Sequence, residues 1–401
     1  MFRSVAAVVC SIATLAWGAI PSAIAAEGYF TPNETLVTRQ TDLIDSEYSQ
    51  SRAAITWVDR NGNLWLAAVD RNTGMFHPAN GKGVLIDPEA MGTSDLVLIG
   101  NGPEWISMVN RDQIVYTKFL PGQPHSKQNA RLAIAMQDSN GFWSAHVLSP
   151  ELKRNAPYAS SNPGDTQATI SYADPFGNHY WRDVNNAASE TLVSAYPASE
   201  RSMRFVRGAR ALVFSAPVDG LLQVFRYWLD TQLTEQLTFD DGNKDLSSVP
   251  WMWAADEYGG DLILETIVDR TELRIYRLMD PTPNTRGQTP WSVVYRASSP
   301  EHGQLSSPEP FSYKGKSYVF FTATVPPESY QSQVFFTNIE QSEPLVRMVT
   351  PDTGDATARM DPEIFVSNRG PLLYFNRYNT LLGAPGQAGT SEGVYFARIG
   401  L

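Results

Sequence analysis

Short runs rich in Val, Ile, Tyr, Phe, Trp and Thr recur along the chain, each bounded by Gly, Asn, Asp or Pro. The clearest are AAITWVD (53–59), QIVYTKFL (113–120), ATISYAD (168–174), ALVFSAP (211–217), DLILETIVD (261–269), SYVFFTATV (317–325) and PLLYFNRYN (371–379). β-branched and aromatic residues in short runs closed by turn formers predict strands, and little of the chain carries a helical period. The runs start roughly 45 to 60 residues apart, the spacing of propeller blades built from four antiparallel strands. Several are followed by a turn and a second strand: the Asp-x-x-Gly stretches DRNG (59–62) and DPFG (174–177), and PVDG (217–220). Asp bonds its own backbone there and Gly accepts a positive φ, so these stretches predict hairpins. A calcium loop in DRNGN (59–63) or DDGNKD (240–245) is the alternative, but the Gly falls at the wrong place for an EF-hand.

A longer phrase also repeats. GPEWISMVNRDQIVYT (102–117), SPEPFSYKGKSYVFFT (307–322) and DPEIFVSNRGPLLYFN (361–376) each place Pro-Glu ahead of a buried-looking run. VPWMWAADEYGGDLILET (249–266) is a looser copy, with Trp251 in place of the glutamate. The phrase predicts the innermost strand of a blade beginning at Pro-Glu, then a tight turn, then the second strand. Proline is expected at the first strand position, where no ladder donor is needed. The expected fold is all-β: a single β-propeller of seven four-stranded blades. Six is the runner-up count, because the third repeat is short and the second carries the insertion LPGQPHSKQN (120–129). ETLVTRQTD (34–42) precedes the first blade and is expected to supply the outer strand of the last, which ends at GVYFARIGL (393–401). No linker or composition shift divides residues 27–401, so one propeller domain is expected.

Charge and cysteine usage narrow the setting. Residues 1–26 read as a signal peptide: Arg3, an apolar run, then PSAIAA with small residues near Ala25 and Ala26. A secreted or periplasmic protein is expected. The single cysteine, Cys10, lies inside that segment, so the exported chain would have no disulfide, no thiolate nucleophile and no Cys-ligated metal. The formal net charge of −11 argues against nucleic acid or anionic lipid as partner, and no later segment is apolar enough for a membrane span. A monomer is expected, with a carbohydrate or a protein as ligand.

Three stretches carry two family resemblances. EQLTFDDGNKDLSSVPWMWAADEYGGDLILET (235–266) resembles the repeat of periplasmic Tol-associated propellers and of prolyl-oligopeptidase propellers. SPEPFSYKGKSYVFF and DPEIFVSNRGPLLYF are similar to blade starts of five-bladed arabinanase-type glycoside hydrolases. The second resemblance implies carboxylates at blade starts lining a central pocket; the first implies an envelope scaffold.

Candidate chemistry follows from these positions. Glu104, Glu309 and Glu363, with Asp361 beside the last, would converge on the channel mouth and could form the carboxylate pair of a glycosidase. His179 and Arg182, in NHYWRDV (178–184), are candidate ligand-binding residues because His, Tyr and Arg together could neutralise a uronate. Trp105, Trp251 and Trp253, at blade starts, could stack on a sugar ring. RGARALVF (207–214), with Arg201 and Arg204, is a small basic patch that hints at an anionic ligand. The five histidines His77, His125, His146, His179 and His302 form no close pair, so no metal is expected and no cofactor motif is present. No Gly-x-Ser-x-Gly elbow or His-Glu-x-x-His occurs, and the blades leave no room in this sequence for a hydrolase domain. Three readings stay open: a ligand- or partner-binding propeller, a polysaccharide-active hydrolase or lyase, and a scaffold.

Overall fold

Every strand-like run of the sequence lies in an antiparallel sheet of the computed structural model, and those sheets number seven, each of four strands. The structure describes residues 31–401 apart from 77–82, 89, 91–101, 108–111, 120–121, 161–167, 194–202, 246–247, 286, 299–302, 325–330, 340–344, 352–356 and 381–388. The expected signal peptide (residues 1–26), Cys10, His77, Arg201 and His302 therefore lie outside the described residues. The sheets are blades of a propeller ring, as the spacing of the runs implies. In chain order the innermost strands of blades 1 to 7 are Ile44–Ser49, Glu104–Ile106, Asn155–Ala159, Arg204–Phe205, Trp251–Ala255, Gln304–Tyr313 and Thr357–Ser367. The short third repeat still completes a blade, its outer strand reduced to Thr191–Leu192. The six-blade alternative is excluded.

Blades 1 to 6 each take four consecutive strands, whereas blade 7 takes three and borrows Thr35–Thr38 as its outer strand. Thr35 pairs with Phe396, Leu36 with Tyr395 and Thr38 with Val394. Asn33 fastens the junction, donating from its side chain to the Arg398 carbonyl (3.0 Å) and accepting from the Arg398 N–H (2.9 Å). Gly393, at φ +110°, lies so close to the Thr38 carbonyl oxygen that a Cβ would not fit. Glu34 adds ion pairs to two arginines of blade 7, Arg359 and Arg377. This closure joins the two ends of the described chain and removes the open sheet edges that a broken ring would expose.

The apolar interior is divided into seven layers, each between neighbouring blades. Trp57 and Phe76 of blade 1 pack on Phe365, Leu372 and Phe396 of blade 7. Phe320 and Phe336 of blade 6 pack on Leu373 and Phe375 of blade 7. The second strands are buried on both faces, as in Ala54–Val58, where all five residues are buried. This explains why those runs read as continuous rather than alternating. Apolar packing thus sits between blades, and polar side chains are free to line the axis.

The Asp-x-x-Gly stretches are hairpin turns. Asp59 Oδ1 accepts from the N–H groups of Asn61 (2.8 Å) and Asn63 (3.0 Å), and Asp174 Oδ1 does the same for Phe176 (2.8 Å) and Asn178 (3.0 Å). In DDGNKD the carbonyls of Asp240, Asp241 and Gly242 accept from the fully buried Lys244 ammonium at 2.5, 3.1 and 2.9 Å. The expected place of proline needs correction in two blades. Pro308 and Pro362 lie inside the long inner strands Gln304–Tyr313 and Thr357–Ser367, not at their starts. Each sits at a register slip, between Ser306 and Glu309 or between Met360 and Glu363, where a bulge leaves it outside the ladder.

Candidate functional site

Cross-strand register defines one equivalent position on each innermost strand. Glu47 faces Thr56, Glu104 faces Val115, Tyr158 faces Ser171 and Arg204 faces Val213. Trp251 faces Glu265, Glu309 faces Phe320 and Glu363 faces Tyr374. These seven residues, one per blade, all line a single cavity of about 520 Å³. Blades 6, 7, 1 and 2 are consecutive around the ring and supply Glu309, Glu363, Glu47 and Glu104. Blades 3, 4 and 5 supply Tyr158, Arg204 and Trp251. The cavity thus has a carboxylate arc and, across from it, an arc of phenol, guanidinium and indole.

Backbone irregularity aims these side chains. In blades 1, 3, 6 and 7 the register slips just before the ring residue, and Asp45, Ala156, Ser307 and Asp361 there have φ of 48°, 52°, 48° and 56°. A bulge turns the strand locally and re-aims the next side chain, as bulges beside functional sites do. Left-handed backbone at non-glycine residues costs energy, and it recurs here at one structural level.

The carboxylates are crowded. Burial, reinforced by the charges of Glu104, Glu309, Asp45 and Asp361, raises the Glu47 pKa well above the usual range. Burial and the same neighbourhood raise Glu363 and Asp361 well above theirs. Glu309 is also raised, chiefly by burial, but Arg204 and Arg207 oppose the rise. Like charges in a low-dielectric site cannot all ionise together, so this arc holds protons that free carboxylates would have lost. Asp45 and Asp361 stand behind the lining, and Asp45 accepts the Gly102 N–H.

The opposite arc is built on Trp251. The Arg204 guanidinium lies 3.9 Å from its ring centroid and the Arg207 guanidinium 4.6 Å. Arg207 is anchored by its backbone to blade 5: its N–H donates to the Met252 carbonyl and its carbonyl accepts from Ala254, both at 2.9 Å. Glu265, paired with Trp251, is fully buried, and neither carboxylate oxygen has a hydrogen-bond partner. Burial, with the charge of Asp245, raises its pKa well above the usual range, while Arg204 draws it down. Asp245 accepts from Ser215 Oγ (2.8 Å) and Ser248 Oγ (3.2 Å), yet burial pushes its pKa up to about 6.

Of the residues singled out in the sequence, Glu104, Glu309, Glu363, Trp105 and Trp251 line the cavity. Asp361 is not among the lining residues, but its charge acts on Glu47 and Glu363. Trp105 is 7% exposed, and its Nε1 donates to the Glu47 carbonyl (3.0 Å), so it braces the neighbouring ring position. Trp253 packs in the layer between blades 5 and 6, its Nε1 3.4 Å from Ser317 Oγ. His179 and Arg182 are buried in the third strand level of blade 3, away from the lining. Arg182 donates to Ser149 Oγ (2.9 Å) and to the Val184 carbonyl (3.1 Å). Sequence reasoning missed Glu47 and Tyr158 and did not connect Arg204 or Arg207 with the cavity. One signal for Tyr158 was available: proline precedes the ring residue in five blades, as Pro103, Pro157, Pro250, Pro308 and Pro362. Among the described residues no group of three or more His, Asp or Glu is placed to hold a metal ion, and no helix is long and apolar enough to cross a membrane.

No protein-family model and no curated protein sequence matches this chain. Solved structures do match. The β-propeller domain of Cps50 (Swd1) from Myceliophteria thermophila aligns over 91% of this chain and 99% of its own, with a TM-score of 0.54 and 9% identity. One of two prolyl endopeptidases analysed for inter-domain dynamics aligns over 86% of this chain, with a TM-score of 0.47 and 12% identity. The chain spans 47% of that endopeptidase, less than half its length. A Trypanosoma rangeli sialidase mutant with trans-sialidase activity aligns over 92% of this chain and 58% of its own, at a TM-score of 0.42 and 11% identity. These identities speak to the propeller fold alone.

Proposed function

We propose that this chain is an exported propeller that binds a small hydroxyl-rich ligand, a saccharide, in its channel cavity. The observation that carries the reading is the convergence of all seven ring positions on one cavity of about 520 Å³. That volume suits a small ligand. Carboxylates accept hydrogen bonds from sugar hydroxyls, protonated ones also donate, and the guanidinium arc donates from the other side. Export rests on the signal-like first 26 residues. A concave cavity of this size favours a small ligand over a docked protein.

A second reading, glycoside hydrolysis, has its own support. The ring grades its acids by environment: Glu47 and Glu363 are pushed furthest toward the protonated form, whereas the rise at Glu309 is opposed by two arginines. Such divergence is what an acid and a nucleophile or base require. Calorimetry of the chain from residue 27 with neutral oligosaccharides, alongside Glu309→Gln and Glu363→Gln, tests the binding reading. The expected result is binding that each variant weakens by about tenfold, the worth of one charge-assisted hydrogen bond. Sugar release that both variants abolish would move the assignment to hydrolase. Binding that neither variant changes would remove the cavity from consideration.

A further inference from the structure

We infer that Arg204 and Arg207, both engaged with Trp251, form an anion subsite at one end of the cavity, so that the bound saccharide carries an acidic group, a carboxylate or a sulfate ester. The inference rests on the saccharide reading for the nature of the ligand but not for the subsite itself. Both guanidiniums reach the cavity, and contact with one indole ring places two positive charges side by side. Several half-buried arginines elsewhere in the fold find a carboxylate: Arg154 with Glu190 (2.6 Å), Arg274 with Asp240 (2.6 Å) and Arg377 with Glu34 (2.7 Å). Among the described residues neither Arg204 nor Arg207 makes such a contact, although four glutamates line the same cavity. Their influence on Glu309 is felt through space and not through an ion pair.

The hydrogen bonds point the same way. Arg204 Nη1 lies 3.4 Å from the Val249 carbonyl, and its buried Nε has no partner. Arg207 Nη1 donates to the Pro310 carbonyl at 3.1 Å. These bonds hold the side chains while leaving most of each fork unused, and a guanidinium fork matches the two oxygens of a carboxylate or sulfate. Burial, opposed by the charge of Glu309 and reinforced by that of Arg204, lowers the Arg207 pKa, so the two guanidiniums repel one another across the indole. An anion seated against the pair would remove that repulsion. The carboxylate arc opposite fixes the orientation: the acidic group lies toward blades 4 and 5 and the hydroxyls toward blades 6, 7, 1 and 2.

The test titrates the chain from residue 27 with trigalacturonate and with neutral galactotriose, in the wild type and in Arg204→Gln and Arg207→Gln. The acidic trisaccharide is expected to bind about tenfold or more tightly than the neutral one, the worth of a charge-assisted bidentate contact. Each Gln variant should reduce that ratio toward one, weakening trigalacturonate by a clearly larger factor than galactotriose. Arg204→Lys, which keeps the charge but not the fork, should retain part of the preference and serves if a Gln variant fails to fold. Equal binding of the two sugars, or a preference that survives both Gln variants, overturns the subsite. If neither sugar binds, the saccharide reading falls, and a sulfate titration followed by melting temperature decides the subsite. Stabilisation by sulfate that the Gln variants lose supports it, and a shift equal in all proteins, or absent, refutes it.

Discussion

Glu34→Ala is expected to destabilise the fold by about 3–5 kcal/mol, the usual cost of removing one partner from a buried ion pair. Arg359 is wholly buried, with its Nε paired to Glu34 Oε1 and its Nη groups donating to the carbonyls of Ser332 and Pro351, each at 3.0 Å. The second Glu34 oxygen meets Arg377 Nη1 at 2.7 Å. Without the carboxylate, Arg359 keeps its charge in the interior and loses its Glu34 partner, while its bonds to the Ser332 and Pro351 carbonyls remain. The residue lost also stands beside the borrowed outer strand Thr35–Thr38, so the ring closure loosens with it. Thermal and urea unfolding check the value. A double variant, Glu34→Gln with Arg359→Met, should cost less than Glu34→Ala alone, because the buried guanidinium is removed together with its carboxylate. Asp230→Ala provides the contrast: its partner Arg210 and Asp230 itself are 44% and 66% exposed, and the expected change is within about 1 kcal/mol. A Glu34→Ala effect as small as that would mean the closure is not held as described.

The second large effect is a loss of stability as pH rises from about 5 to 8. Glu47, Glu265, Asp361, Glu363 and Asp245 all hold protons more tightly in the folded chain than in the unfolded one. The stability they contribute is complete below their unfolded pKa, near 4, and drains as pH climbs through their folded values. For Asp245, raised from 3.8 to about 6, the loss is roughly 3 kcal/mol. Asp174, Asp240 and Glu190 run the other way: their pKa values are lowered, and the stability they give is lost as pH falls through those lowered values. The two sets together place the maximum on the mildly acidic side of neutrality. Melting temperature followed from pH 4 to 8 should peak near 5, and Glu265→Gln should raise it at pH 8 while changing it little at pH 5. A profile flat from 5 to 8, or one that rises with pH, would show that the acids are better solvated than their burial implies.

The ring architecture was legible in the sequence because blade packing imposes it on composition. A second strand buried on both faces must be apolar throughout, and Val319–Phe321 and Leu372–Phe375 announce this without any alignment. The borrowed strand at Thr35–Thr38 was legible too, since ETLVTRQTD had no blade of its own. The cavity was legible only where a blade repeats the Pro-Glu phrase. Glu47 follows Ser46 and Arg204 follows Met203, so neither carries the proline that marks Glu104, Glu309 and Glu363. Pro157 does precede Tyr158, but a tyrosine in the glutamate position hides the repeat. Bulges compounded this: one extra residue in four inner strands shifts side-chain direction, so simple alternation misplaces what faces the axis. His179 and Arg182 show the converse. Both side chains are buried within blade 3, and polarity on a strand does not say whether the polar group meets a ligand or Ser149.

A crystal structure of the chain from residue 27, grown near pH 7 and soaked with an acidic oligosaccharide, tests the central claim most directly. Density for the sugar should fill the channel cavity, in contact with ring residues from several blades and with its acidic group against Arg204 and Arg207. Sugar bound only on the outer edges of the blades, beside an axial cavity holding nothing but water, would contradict the claim that these seven positions form a binding site.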